Sequence, residues 1–515
     1  MNAVELEIFR QLFSSVAEEM GATLMRSAFS PNIKERRDFS CAIFDAGGEM
    51  VAQAAHIPVH LGSTPLSVAA ALEAVDMGRD GHAILNDPFN GGTHLPDITV
   101  VSPVCGPEGD VRFYVANRAH HSDVGGISAG SLPLSSHIDD EGVRIGPVRW
   151  GDDVLQRICE ASRTPDERKG DLQAQIAANL RGRRRLQEQM ERRGCRIWSA
   201  AEDLQDSSER FMASALAEMP DGRWTFADVL DGDGRGNGPL SIECSLEVHG
   251  RRATVDFSET VPQTEGPVNA PRAVTVSAVL YAFRCLVGDQ MPSNGGYMRR
   301  IDVQTERGSL VDAEYPAAVA AGNVETSQRV TDVVFGALAE CVPGQVPAAS
   351  CGSMNNVLIG GRDPRGGDDR AFTYYETIAG GSGAGPGFDG ADAVHTHMTN
   401  TLNTPVEALE HAYPFRIAEY RVRRGSGGSG EYCGGDGVVR SYEFTGPAEV
   451  TLMTERRDHA PWGLQGGGDA ARGRNLLVRE GREEPLPAKC SIEVDAGDRI
   501  RVETPGGGGW GCSKD

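Results

Sequence analysis

Several things are scarce in this chain, and each scarcity excludes a class of protein. No apolar run approaches the roughly 20 residues of a membrane-spanning helix, so no membrane span is expected. The eleven cysteines form no Cys-x-x-Cys pair, their number is odd and their spacing irregular. With no signal-peptide pattern ahead of them, a cytoplasmic protein with reduced thiols is the expectation. Positive charge is in deficit: 50 Lys and Arg against 73 Asp and Glu leave a formal net charge of -23. An acidic surface repels phosphate backbones, which argues against nucleic acid as a partner. The one basic run, Arg181 to Arg185, reads as a solvated helix face. Nucleotide motifs are missing too. Gly380 to Gly387 lacks the Lys and Ser/Thr of a phosphate-binding loop, and no dinucleotide fingerprint sits between a strand and a helix.

What is present is a globular chain of 515 residues, 39% hydrophobic and 24% charged, with 64 glycines gathered in clusters. That composition predicts a real core and many ordered turns. Residues 3 to 29 have helical spacing of Val4, Phe9, Leu12, Phe13, Val16, Met20 and Leu24, and Pro31 stops the helix. A hairpin is predicted from Cys41 to Ala54, a helix opening at Ser63-Thr64-Pro65, a strand at Ala83 to Leu85 and another at Val143. Residues 152 to 217 read as mostly helical, and short alternating strands follow from 222. Asp231 to Gly238 looks superficially like a calcium loop but lacks the glutamate at the twelfth position. The expected class is α+β, a large multilayered mixed fold. Its parts are an α/β portion at 1–150, a helical segment at 151–221 and a β-rich, glycine-rich portion at 222–515.

The chemistry gathers in two stretches. Asp87-Pro88-Phe89-Asn90-Gly91-Gly92-Thr93-His94-Leu95-Pro96-Asp97 is a glycine turn carrying an imidazole, with a carboxylate three residues on. Asn117-Arg118-Ala119-His120-His121-Ser122-Asp123 repeats the pairing. Between them lie an apolar strand, Ile98 to Val104, and a second one, Val111 to Ala116. A hairpin of that kind brings both loops to one end of a sheet. His94, Asp97 and either His120 or His121 then converge, with Asp38 available as a fourth ligand and Asp123 as a ligand or an orienter of an imidazole. Mixed nitrogen and oxygen ligation suits Zn²⁺, Mn²⁺ or Fe²⁺. Hydrogen-bonded turn formation is the competing reading of the same spacing. His56 and His60 have i,i+4 spacing, but Pro58 between them argues for structural roles. His395 and His397 alternate on an extended stretch and are read as pocket-lining or packing residues, and Cys41 as a core thiol.

Beyond these stretches, Ser30 to Cys41, His56 to Gly62, Asn86 to Asp97, Arg118 to Gly126, Gly322 to Arg329, Thr399 to Glu410, Gly434 to Gly437 and Thr504 to Gly511 together carry a family likeness. The chain resembles the hydantoinase B/oxoprolinase family over essentially its whole length. The resemblance implies a division of labour. A separate hydantoinase A-type subunit with an actin-like ATPase fold uses ATP to phosphorylate a cyclic amide. The B-type subunit completes ring opening at a divalent metal, Zn or Mn. It also implies metal ligands Asp38, His94, Asp97 and one of His120 or His121, with His120 favoured, and a heteromer, expected as a heterotetramer or larger. Asp123 and His121 are expected as catalytic side chains, Asp123 orienting an imidazole or acting as a base. The family includes subunits similar to those of acetone and acetophenone carboxylases, which makes a ketone carboxylase the alternative. The compact length favours the amidohydrolase. A third reading, from a different class, is a non-catalytic scaffold for the ATPase subunit.

Overall fold

The computed structural model describes residues 1–54, 56–288, 291–365 and 370–513. Helix α1 (Ala3–Ser27) is capped by the Asn2 side chain and buries Phe9, Phe13, Val16, Met20 and Leu24 on one face. Pro31 then opens a single turn, α2 (Pro31–Lys34). The chain continues into β1 (Phe39–Asp45), β2 (Met50–Gln53), α3 (His60–Ala74), β3 (Ala83–Leu85), β4 (Asp97–Cys105), β5 (Val111–His120) and β6 (Val148–Arg149). These six strands form one sheet in the order β2-β1-β5-β4-β3-β6. Every strand pair in it is antiparallel.

Helices α4 (Asp152–Ala161), α5 (Pro165–Arg193) and α6 (Arg196–Glu218) follow. The long helix α5 lies against β4 and β5. Its buried amides add hydrogen bonds to its apolar contacts: Gln175 reaches Ile98 O and Asn117 Oδ1, and Asn179 reaches Val100 O and Ser102 Oγ. The opposite face of the sheet meets α3, whose Ser63 and Ser67 hydroxyls take the buried Arg118 guanidinium.

A second sheet runs β10-β9-β8-β7, built from β7 (Gly222–Leu230), β8 (Leu240–His249), β9 (Arg252–Asp256) and β10 (Ile301–Gln304). It packs with α7 (Arg272–Val287) and α8 (Ser327–Cys341). The third sheet joins β11 (Asn356–Asp363), β12 (Arg370–Glu376), β15 (Ala448–Met453) and β18 (Lys489–Val494). The fourth joins β13 (Phe415–Arg423), β14 (Gly437–Phe444), β16 (Arg474–Arg479), β17 (Arg482–Leu486) and β19 (Arg499–Glu503), with α9 (Val406–Ala412) beside it. The class is therefore the expected multilayered α+β. The largest apolar cluster draws on residues from Ala42 to Met453, so all three stretches read from the sequence contribute to it.

Three local expectations change. The strand expected at Val143 is irregular chain, and the short β6 lies at Val148–Arg149 instead. Helix α3 begins at His60, because the Pro58–Val59 turn already has helical backbone, and Pro65 falls inside it. Strand β5 runs on to His120 through residues read as loop. Polar Asn117 and Arg118 are tolerated there because α5 and α3 satisfy their side chains. The Asp231–Gly238 stretch is a turn in which Asp233 accepts from the Arg235, Asn237 and Gly266 amides and from Thr264 Oγ1. Among the described residues, no helix is long and apolar enough to cross a membrane.

Candidate metal centre

The register of the first sheet assembles the site. Asp97, the first residue of β4, pairs with His120, the last of β5. On the other side of β5, Phe39 pairs with Ala119, which puts Asp38 beside His120; the His120 amide donates to Asp38 O at 3.0 Å. His94 sits on the turn leading into β4, where the Asp97 amide bonds back to its carbonyl at 3.1 Å. Ligand atoms of His94, Asp97 and His120 all lie within 4.8 Å of one another, and all three residues are buried. Asp38 lies outside that triplet but lines the same small cavity, about 20 Å³, with His60, Asp97, His120, Asn323 and Tyr375.

The hydrogen bonds around the cluster decide what it can hold. A backbone carbonyl only accepts, so His94 Nδ1, 3.2 Å from Ala320 O, carries that ring's proton in the neutral form. Its Nε2 then turns a lone pair toward Asp97 Oδ2, 3.4 Å away. Two acceptors facing each other in a buried site need a donor or a cation between or beside them. Thr93 Oγ1 donates to Asp97 Oδ2 at 2.7 Å, and Asn323 Nδ2 stands 3.2 Å from the same oxygen and 3.1 Å from His94 Nε2. His60 Nε2 is 3.5 Å from Asp97 Oδ2, with Ser40 Oγ at 2.8 Å from its Nδ1. Asp97 Oδ1 and His120 Nε2 have no hydrogen-bond partner among the described residues. Buried polar atoms are rarely left so. The orphaned Asp97 oxygen and the Nε2 lone pair of His94, with the His120 ring alongside, fit a divalent metal.

The electrostatics follow from burial and charge. Burial would raise the Asp97 carboxyl, but His94 and His60 outweigh it and hold it well below its ordinary value. Burial would lower His94, yet the Asp97 charge lifts it above the usual imidazole value. Burial, reinforced by the charge of His94, keeps His120 well below that value. For Asp38, burial dominates and pushes the carboxyl up to about 7. The His120 ring stacks on Tyr375 with centroids 4.7 Å apart. Asn32, gripped by the buried Arg36, puts its Nδ2 2.8 Å from His120 Nδ1.

Of the site residues read from the sequence, the structure brings together His94, Asp97 and His120, with Asp38 on the cavity wall. It does not bring in His121 or Asp123. Successive side chains of a strand point to opposite faces, so His121 faces α5, with its Nε2 2.9 Å from Gln175 Oε1. Asp123 accepts from the Gly125, Gly130 and Arg163 amides and from the Arg163 guanidinium, clasping the loop after β5. His397 pairs with Asp332 at 3.2 Å, while Thr399 lines the cavity. Two polar residues within reach of the Asp97 carboxylate, His60 and Asn323, have no ligand role in the sequence analysis. His60 was set aside because Pro58 interrupts its spacing with His56, and Asn323 lacked any partner motif. Asn323 stands on a π-helical turn, Gly322–Thr326, a distortion frequent at functional sites. Membership of His56–Gly62 and Gly322–Arg329 in the family-like stretches was the available signal for both.

In class, this is a multilayered α+β protein with a buried His/Asp cluster at one end of its first sheet. A family-wide sequence profile, Hydantoinase B/oxoprolinase, matches residues 2–513, and the chain belongs to that family. It is 38% identical to 5-oxoprolinase 1 of Arabidopsis thaliana, over 99% of this chain and 42% of the plant protein. It thus spans about two fifths of that relative's length. It is 30% identical to the putative B subunit of a D-/L-hydantoinase from a Pseudomonas strain, over 99% of this chain and 90% of that protein. The crystal structure of the ATP-dependent caprolactamase from Pseudomonas jessenii superimposes with a TM-score of 0.92 at 27% identity, covering 99% of this chain and 91% of that one. Acetone carboxylase in its nucleotide-free form superimposes at 0.87 with 17% identity, over 99% of this chain and 75% of that one, a likeness of fold alone.

Proposed function

We propose that this chain is the B-type part of an ATP-dependent cyclic amidohydrolase, acting on a cyclic amide that a hydantoinase A-type ATPase subunit has phosphorylated. The observation that carries this is the buried triplet of His94, Asp97 and His120, with two orphaned ligand atoms, beside a cavity of about 20 Å³. A volume of that size admits about one water and no organic ring. His94, Asp97 and His120 would hold a divalent ion, Zn or Mn, with Asp38 on the cavity wall. Such an ion, when bound, polarises a carbonyl-type oxygen and lowers the pKa of water.

The chain's own side chains prepare the site. Thr93 and Asn323 fix the Asp97 carboxylate, and the Ala320 carbonyl fixes the His94 ring. Tyr375, Met354, Met398 and Val324 close the cavity with apolar surface, which excludes bulk water and strengthens every polar interaction inside. At this site water would add to the activated ring carbon, the carbon–nitrogen bond would break with a proton passing to the ring nitrogen, and the phosphoryl group would leave as phosphate. Hydantoins, 5-oxoproline and lactams are the substrate class. The names of the relatives support it: a 5-oxoprolinase, the B subunit of a hydantoinase and a caprolactamase. The name of the hydantoinase relative, a B subunit, also supports a multi-subunit assembly.

The test is ATP-dependent ring opening by the wild type and by His94→Ala, each with the ATPase subunit present and metal content measured. The variant is expected to lose its metal and at least 100-fold in turnover, on the order of what losing a directly acting group costs. Equal activity in both proteins contradicts the assignment. Bicarbonate-dependent consumption of a ketone would point instead to the carboxylase chemistry.

A further inference from the structure

The catalytic cavity is too small for the substrate proposed above, so the ring must be held beside it. A cavity of about 610 Å³ lies alongside, within the size range of small-molecule sites. Much of its wall is apolar, including Ala54, Pro58, Leu61, Leu204 and Met291. Arg284 also lines it, and that guanidinium bonds only neutral oxygens among the described residues, Ser293 Oγ at 3.3 Å and Gly288 O. Among the described residues Glu18 is the one carboxylate on the wall, and Arg10, also on the wall, is already engaged by Glu7. An apolar wall with a cation that no carboxylate pairs among the described residues suits an apolar ring carrying negative charge.

Ile57 is the one residue among those described that lines both this large cavity and the catalytic one. Its backbone is tied to the site: its amide is 3.3 Å from Ser40 Oγ, the hydroxyl beside His60, and its carbonyl accepts the His60 amide at 3.1 Å. We infer that the large cavity is the receiving chamber for the phosphorylated cyclic amide, with Arg284 meeting the phosphoryl group. Ile57 is the partition between the two cavities, and its size sets which rings bring their activated carbon within reach of the catalytic one. This rests on the cyclic amidohydrolase reading and adds where the substrate sits and what selects it.

Two measurements test it. Calorimetric titration of the full chain with inorganic phosphate, and separately with 5-oxoproline, hydantoin and ε-caprolactam, needs no ATPase subunit. Phosphate and at least one amide are expected to bind the wild type. Arg284→Gln is expected to weaken phosphate at least tenfold with metal content unchanged, and Leu204→Trp to weaken the amide at least tenfold. Absence of binding to the wild type, or affinities untouched by both substitutions, overturns the chamber.

The second measurement compares ATP-dependent turnover of ε-caprolactam and 5-oxoproline. Ile57→Ala is expected to shift the ratio of their kcat/KM values at least tenfold toward the larger ring. Ile57→Val, a smaller change to the core, is expected to shift it in the same direction. A ratio unchanged in both variants overturns the partition. A wild type that binds the probes but opens no ring with ATP refutes the amidohydrolase reading and leaves the chamber as an anion and amide site.

Discussion

At the scale of single residues, the centre depends on which imidazole nitrogen holds a proton. The Ala320 carbonyl assigns it to His94 Nδ1 and frees Nε2 for a cation. Asp97→Asn keeps the shape of that carboxylate but replaces one oxygen with a donor. It is expected to reduce bound metal at least tenfold, measured by plasma mass spectrometry, while the circular dichroism spectrum is retained. Gly322 makes a different demand. A Cβ there would run into the Asn269 carbonyl and the start of Ala270, all backbone. Gly322→Ala must therefore shift the turn that carries Asn323. It is expected to cost about 2–4 kcal/mol, near the upper range for single substitutions, and to lower the thermal midpoint; an unchanged midpoint contradicts the packing described.

His94 and Asp97 were legible from the sequence because a turn holds residues three apart close together whatever the rest of the fold does. The choice of His120 over His121 was not fixed by spacing, because it depends on where β5 ends and which face each residue takes. His60 was illegible for a related reason. Its reach to Asp97 comes from α3 beginning at that residue, and Pro58 and Pro65 together suggested a later start.

At the scale of elements, ion pairs tie the sheets together. Asp228 on β7 meets Arg456, which follows β15, at 2.7 Å and Arg329 on α8 at 3.5 Å. Burial alone would raise the Asp228 carboxyl, but the two guanidiniums outweigh it and hold it at about 2. A folded value below the unfolded one, ~3.9, means the pair stabilises fully above about pH 4. That contribution fades as the pH falls through about 2. Asp228→Asn is expected to flatten stability against pH in that window. Its cost at neutral pH should lie at the lower end of about 3–5 kcal/mol, because Arg456 keeps Asp332 as a partner. Chemical denaturation at pH 7 and at pH 3 measures both effects, and an equal loss at the two pH values contradicts the ion-pair account. Apolar periodicity revealed α1 in the sequence. It could not reveal that α5 would bind the sheet through Gln175 and Asn179, since buried amides carry no apolar signature.

At the scale of the whole molecule, the glycine clusters act as one feature. The chain near Gly507 lies against the loops at Ser382 and Gly434 so closely that a Cβ on Gly434 would enter the Gly507 carbonyl. Backbone hydrogen bonds join the layers, among them Gly507 N to Gly435 O at 2.9 Å and Gly508 N to Ala349 O at 2.8 Å. Sequence showed the clusters but not that three of them, far apart in the chain, stack on one another. Gly434→Val is expected to prevent that stacking and sharply raise protease sensitivity, read by limited trypsin digestion; wild-type resistance contradicts it. The overall class was legible from the order of helical and strand patterns, and the pairing of the four sheets was not, because it rests on long-range register.

Anomalous X-ray diffraction tests the central claim most directly, on crystals of the protein purified without chelator and shown to open a cyclic amide with its ATPase subunit. The account predicts one transition-metal peak per chain, bonded to His94, Asp97 and His120. Active protein whose anomalous map is flat among those three side chains would contradict it.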